Sequence, residues 1–405
     1  MVLLVLAMAS AMVPVVSAQY EYWNNINLSA LPLDPTWGVS YPLAPYGIAL
    51  SEPPRYAFIS DSKSNTVTQW EIETGTCVKS VGSRGTGEGQ FISPGDLVMD
   101  HINGRLYIVD QGNLRIQVYD PFANGDLSTL GYHTGDLSSV TGVAFTVQGD
   151  PPTTYLYVTD AWGNKCIRYI NGTVDKNWRL NPPPEAKLYS PMDIAVGKDN
   201  SLYILNSGRG TVQAYDSNGN LTNSWGGIGN GTGQLNWPYS MTVDTQGNVF
   251  VSDTHNNRIQ KYSPNGELLA TFGGKDSGNG QLRNPASNAV DASGDMELSN
   301  PAGIAVDASG LVYVVDRDNS RIVIFKHHNA DDPVPVPGGV DVPRDMDGDG
   351  TIDDVNGNGR RDFADVVLYF NQMTWIAGNE PLSLFDINKN GRIDFADAVA
   401  LFNNL

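Results

Sequence analysis

Tyr107-Ile-Val-Asp110-Gln-Gly-Asn113-Leu-Arg115-Ile-Gln-Val-Tyr119 holds the unit from which most of the chain is built. Phe250-Val-Ser-Asp253-Thr-His-Asn256-Asn-Arg258-Ile-Gln-Lys-Tyr262 repeats it. Taking the acid as origin, the pattern returns at Asp61, Asp110, Asp160, Asn206, Asp253 and Asp316. Three residues before each origin stands an aromatic: Phe58, Tyr107, Tyr157, Tyr203, Phe250 and Tyr313. Nine residues after stands another: Trp70, Tyr119, Tyr169, Tyr215, Tyr262 and Phe325. Six residues after, the side chain is apolar: Val67, Ile116, Cys166, Val212, Ile259 and Ile322. Aromatics make up 9% of the chain, so twelve in twelve prescribed slots are not chance. A period of this length marks a repeat architecture.

The origins lie 49, 50, 46, 47 and 63 residues apart. The last interval contains a near-duplication, in which 284–294 returns as 300–310. Removing that 16-residue shift restores a spacing of 47. Each unit reads as short alternating segments divided by Gly, Asn and Asp turns, the signature of antiparallel strands. Four strands in each of six units predict an all-β fold, a six-bladed β-propeller with four antiparallel strands per blade. The sixth unit has no fourth strand after Phe325, while 19–31 lies before the first unit unassigned. That segment is expected to close the ring as the outer strand of the sixth blade.

The loops Asp110-Gln-Gly-Asn113-Leu-Arg115, Asp253-Thr-His-Asn256-Asn-Arg258 and Asp316-Arg-Asp-Asn319-Ser-Arg321 resemble NHL repeats. So does Gly233-Gln-Leu-Asn-Trp-Pro238. The resemblance covers about residues 40–326 and is weaker where the Arg slot holds Thr66, Lys165 or Thr211. It implies a propeller used mostly as a binding platform, with a few lyases among its members.

Composition narrows the function. With 25 basic and 44 acidic residues the net charge is −19. Such a surface repels phosphate backbones, so nucleic acid is not expected as a partner. Residues 1–18 are apolar and uncharged and end in Val16-Ser-Ala18, which reads as a secretory signal peptide. A retained N-terminal anchor is the rival reading. A secreted or cell-surface location follows from either. Cys77 and Cys166 fall in non-adjacent units, so two buried thiols are expected rather than a disulfide. Domains are expected at 19–326 for the propeller, 327–344 for a Pro-rich linker and 345–405 for a separate tail.

The tail is a small α-helical loop–helix module in this reading. From 341 to 405 it carries twelve acids and five Lys or Arg. The acids are spaced. Asp354, Asn356, Asn358, Arg360, Asp362 and Asp365 occupy positions 1, 3, 5, 7, 9 and 12 of an EF-hand loop, with Gly359 at the sharp turn. Asp386, Asn388, Asn390, Arg392, Asp394 and Asp397 repeat the arrangement around Gly391. At position 7 the backbone carbonyl is the expected ligand. Two Ca²⁺ sites are expected here. A third run, Asp345, Asp347, Asp349, Thr351 and Asp353, has similar spacing and resembles a thrombospondin type 3 calcium repeat. Each of the two loops leads into an apolar Phe-Ala-Asp helix. The pair resembles a dockerin, which implies a cohesin-like or other envelope protein as partner. The loops start 32 residues apart, which is long for that family.

On the propeller, loops between second and third strands share one face with the loops between blades. Trp162, Trp237, Tyr239 and His255 fall on that face and are the candidates for stacking on a ligand such as a glycan. The origin acids and their Arg partners read as structural. No nucleophile–base constellation is legible, and no His recurs in register to hold a zinc ion. The expectation is therefore a calcium-binding attachment protein. The alternative is an extracellular carbohydrate-active enzyme or lyase carried on the same tail.

Overall fold

The structure, a computed structural model, describes residues 19–28, 43–122, 132–133, 137–149, 152–274, 298–328, 352, 354–355, 360, 362–379, 382–387, 389 and 392–403. The near-duplicate at 284–294 lies outside the described residues. One compact unit is Tyr20–His327. The described residues beyond it form a second.

The first unit is a six-bladed propeller of six four-stranded antiparallel sheets. Its innermost strands are Pro45–Leu50, Pro94–Asp100, Val140–Gln148, Pro191–Val196, Met241–Val243 and Pro301–Val306. In every blade the origin residue ends the second strand and pairs with the first residue of the third, as Asp110 does with Arg115 and Asp253 with Arg258. The repeated aromatic slots are buried throughout. They pack between blades rather than within one. Phe58 of blade 1 lies in one cluster with Phe91, Leu106 and Tyr119 of blade 2. Blades 6 and 1 share a cluster of the same kind, containing Tyr313, Val315, Ile59 and Trp70. The sequence period therefore encodes side chains that each blade needs from its neighbour.

Closure occurs as the unassigned segment suggested. Gln19–Asn27 is the outer strand of the sixth blade, beside Arg321–His328. Its Tyr20 stacks on Phe272 with ring centroids 4.3 Å apart and meets Phe250 edge-on at 5.9 Å. The Lys261 ammonium donates to the Tyr20 hydroxyl at 3.1 Å. At the other end Ile26 and Leu28 are buried against blade 1. Residues 29–31, the rest of the expected strand, lie outside the described residues. Cys77 and Cys166 are both buried free thiols.

The second unit contains α1 (Phe363–Asn379), the short α2 (Leu382–Phe385) and α3 (Phe395–Asn403). Ile352, Val355, Tyr369, Ile376, Phe385, Ala398 and Leu401 form its core. The Tyr369 hydroxyl donates to the Phe385 carbonyl at 2.5 Å, which ties α1 to α2. Both long helices begin alike. The Asp362 carboxylate accepts from the Ala364 N–H while Asp365 accepts from the Asp362 N–H at 2.8 Å. Asp394 and Asp397 repeat this reciprocal cap.

Candidate functional site

The repeated acids are structural. Asp110 is fully buried and accepts from Arg115 Nε at 2.8 Å, from Asn113 and Gln117, and from the Ile92 N–H. Arg115 reaches on to the carbonyls of Thr86, Gly87 and Gln90. The same network surrounds Asp253 and Arg258. These bonds tie the incoming loop to the blade.

Functional candidates are then the residues that break the repeat. Structural demands recur six times, so a side chain present in one or two blades answers to something else. Just before each innermost strand the blades carry Ala44, Ser93, Ser139, Ser190, Trp237 and Asn300. Ser93, Ser190, Trp237 and Asn300 all have positive φ, between 44° and 53°. The fold therefore demands a left-handed residue here, and three blades meet it with small polar side chains. Trp237 bears the added steric cost of a bulky side chain and is largely exposed.

Two residues further on the neighbours change in the same way. The slot reads Tyr46, Gly95, Thr141, Met192, Tyr239 and Ala302. The Tyr46 and Tyr239 rings stack at 6.2 Å from blades 1 and 5, the two neighbours of blade 6. Tyr239 lies 6.1 Å from the His255 ring, and His255 6.5 Å from Trp237. The Arg317 guanidinium sits 5.7 Å from the Tyr46 centroid. Trp237, His255, Tyr239, Tyr46 and Arg317 thus form one continuous shelf across blades 5, 6 and 1. Trp162, also a face candidate, is 78% exposed but belongs to blade 3 and makes no ring contact among the described residues.

Beyond the shelf lies the axis. The innermost strands of all six blades line a cavity of about 220 Å³. The third position after each entry residue reads Gly47, Asp96, Gly142, Asp193, Ser240 and Gly303. Space explains the glycines: a Cβ on Gly142 would stand 2.6 Å from Asp193 Cα. The two aspartates hydrogen-bond to each other. Asp96 also accepts the Val143 N–H at 2.9 Å, and Asp193 those of Met241 and Ile194 at 2.7 Å. Burial pushes Asp96 well above the usual carboxylate range and raises Asp193 to about 7. Tyr46 is raised too, by burial first and then by Tyr239, Asp96 and Asp193, with Arg317 pulling the other way. Sequence reasoning found Trp237, Tyr239 and His255 and missed Tyr46, Arg317, Asp96 and Asp193. Tyr46, Asp96 and Asp193 break the repeat in the entry segments, and Arg317 breaks it one residue after the origin.

In the second unit Asp354, Asp365, Asp386 and Asp397, positions 1 and 12 of the two loops, are buried. Asp362 and Asp394 are half-buried, while Arg360 and Arg392 are exposed. The structure brings Asp362 to Asp365 and Asp394 to Asp397. Asn356, Asn358, Asn388 and Asn390 lie outside the described residues, as do Asp345, Asp347, Asp349, Thr351 and Asp353. Among the described residues no three His, Cys, Asp or Glu side chains converge as a metal site. The side chains in these loop positions, carboxylates and amides, belong to the hard-oxygen class that calcium takes.

The sequence profile of the NHL repeat matches residues 235–262 and 298–325. The chain carries NHL repeats. They are the fifth and sixth blades, the two whose loops hold His255 and Arg317. No curated protein matches the chain in sequence. Among solved structures, a streptogramin B lyase is similar at 15% identity and TM-score 0.51, over 77% of this chain and 99% of that one. A selenomethionine-substituted virginiamycin B lyase from Staphylococcus aureus is similar at 14% identity and TM-score 0.48, over 76% and 99%. At these identities the likeness concerns the propeller fold alone.

Proposed function

We propose that this NHL-repeat propeller is an exported attachment protein. Its calcium-stabilised tail docks to a protein of the cell envelope, and its propeller face takes a glycan. One observation carries the docking half. Phe363, Val367 and Phe370 on α1 and Phe395, Val399 and Phe402 on α3 are all exposed. The four phenylalanines are between 52% and 61% exposed. Phe363 meets Phe402 edge-on at 6.1 Å, and Phe370 meets Phe395 at 5.7 Å. The duplicated helices therefore lie head to tail and offer the same apolar triad twice. An apolar patch of this kind on a small unit is characteristic of a protein contact.

Two Ca²⁺ ions, held by the loops beginning at Asp354 and Asp386, would orient these helices, with the run from Asp345 as a third site. Their chemistry is structural: hard oxygen ligands gathered around a cation that neutralises buried carboxylates. Residues 1–18 would direct export as a leader.

The test is retention. In calcium, the full chain should capture a protein from envelope extracts and release it to chelator. Phe370→Ala with Phe402→Ala should lose capture and leave the calcium-dependent melting shift intact. Equal capture by a protein ending at residue 328 would overturn the reading.

The second reading, a lyase on the propeller, is favoured by the proton-sharing Asp96–Asp193 pair. A carboxylate titrating near neutrality beside Tyr46 is suited to proton transfer. Turnover of an acidic oligosaccharide to an unsaturated product, lost in Asp193→Asn, would select it. The absence of turnover would leave the face a binding surface.

A further inference from the structure

We infer that the shelf across blades 5, 6 and 1 recognises a carboxylate-bearing sugar, a uronate, through Arg317. The inference rests on the proposal that the propeller face takes a glycan, and it assigns that glycan its charge.

Arg317 is the starting point. Its slot, one residue after the origin, holds Ser62, Gln111, Ala161, Ser207 and Thr254 in the other blades. Ser62 Oγ donates to the Ala44 carbonyl within its own blade, and two others reach the next blade. Ser207 Oγ donates to the Pro238 carbonyl at 2.6 Å, and Thr254 Oγ1 to that of Pro301 at 2.8 Å. Both bonds stitch one blade to the next. Blade 6 gives up that hydroxyl for a guanidinium. Among the described residues no carboxylate lies within ion-pair distance of it. Asp316, its neighbour in sequence, is taken by Arg321 at 2.6 Å. Asp318 accepts from Ser299 and Asn300 instead. What Arg317 does contact is the face of Tyr46. It is half-buried, so its charge is partly desolvated and worth more to an anion than a surface lysine would be.

The remainder of the shelf is aromatic. Tyr46, Tyr239, His255 and Trp237 supply ring faces and edges in a row, and Trp237 and His255 are exposed at its outer end. Sugar C–H faces pack on such rings, and a planar carboxylate matches the guanidinium fork in two parallel hydrogen bonds. The chain as a whole is acidic, with a net charge of −19. A polyanion without this geometry is repelled, so a single guanidinium set at the end of a stacking surface selects a sugar acid over phosphate-rich polymers.

The experiment is calorimetric titration of the full chain with tetrasaccharides of galacturonate and of mannuronate, each beside its methyl ester. At least one acid should bind, and its ester should bind roughly tenfold or more weakly, the worth of one charge-assisted pair. Arg317→Gln should weaken the acid by the same factor and leave the ester unchanged. Trp237→Ala should weaken both. Arg209→Gln, an exposed arginine on blade 4, should alter neither. Unchanged melting temperatures in the three variants certify the fold. Equal binding of acid and ester, or an undiminished Arg317→Gln, would overturn the uronate assignment while leaving a glycan face. No binding of any of the four sugars would overturn the assignment and remove support for that face, with envelope capture by the tail unaffected.

Discussion

Asp96 and Asp193 come from blades two apart, yet their carboxyl groups hydrogen-bond to each other on the propeller axis. Each also accepts a backbone N–H from the next blade, Val143 for Asp96 and Met241 for Asp193. The pair is therefore part of the ring's stitching as well as of its cavity. A shared proton lets two carboxyls stand where two carboxylates would repel.

That proton sets a pH dependence. An aspartate in an unfolded chain titrates near ~3.9, whereas Asp193 is raised to about 7 and Asp96 is raised as well. Between those values the folded protein holds a proton the unfolded chain has released. Stability contributed by the pair is thus complete below about pH 4 and falls as pH rises through about 7. Asp96→Asn keeps a donor toward Asp193 and cannot ionise. Its urea midpoint should exceed that of the parent at pH 8, and the gap should shrink at pH 5. Parallel midpoint-versus-pH curves for the two proteins would refute the shared proton.

Ring closure by the N-terminal strand gives a second test. Tyr20 is buried between Phe272 and Phe250 and takes a hydrogen bond from Lys261. Tyr20→Ala should cost about 3 kcal/mol, as large aromatic truncations do. The loss should appear in the single unfolding transition of the whole propeller, measured by tryptophan fluorescence in urea. A variant that loses only a minor pre-transition would mean that the strand is an appendage.

The acid–arginine networks predict damage without loss of recognition. Asp110→Ala strands the buried Arg115 and the Ile92 N–H. Breaking such a pair costs about 3–5 kcal/mol. Any sugar affinity measured well below the lowered melting temperature should be unchanged. A selective loss of affinity would reassign these acids from architecture to binding.

Calcium should act on the tail alone. Heating the full chain in calcium and in chelator should move one transition and leave the propeller's in place. Asp354→Ala with Asp386→Ala should abolish the shift. At a free concentration one hundred times the dissociation constant, one site contributes about 2.7 kcal/mol. A propeller transition that follows calcium would place the ion elsewhere.

The blades were legible because inter-blade packing repeats the same demand in the same slot. Phe58, Tyr107 and their equivalents had to be aromatic for each blade to fill its neighbour's groove. The closing strand was legible as a vacancy after Phe325. Trp237, Tyr239 and His255 could be placed on one face from loop order alone. Tyr46 and Arg317 stand on loops of the same face, but their contact is set only where blades 6 and 1 meet at the seam. Asp96 and Asp193 stand in a slot otherwise held by glycine or serine. That departure was written in the repeat, but their partnership arises only when a closed ring sets blades 2 and 4 around one axis. In the tail only the spacing of the acids was legible, and the reciprocal caps of Asp362 with Asp365 and Asp394 with Asp397 show that these acids start the helices.

A sheet whose edge is residues 19–27 and whose interior is 301–328 cannot be assembled in the order it is made. Residues 19–27 leave the ribosome before the rest of their blade and must wait, unpaired, until it exists. Through that interval the segment is an exposed β-edge in search of a partner. The same strand of a neighbouring nascent chain would find the same vacancy. A high local concentration of half-made molecules therefore favours exchange of this strand between copies, and slow, dilute synthesis favours the monomer.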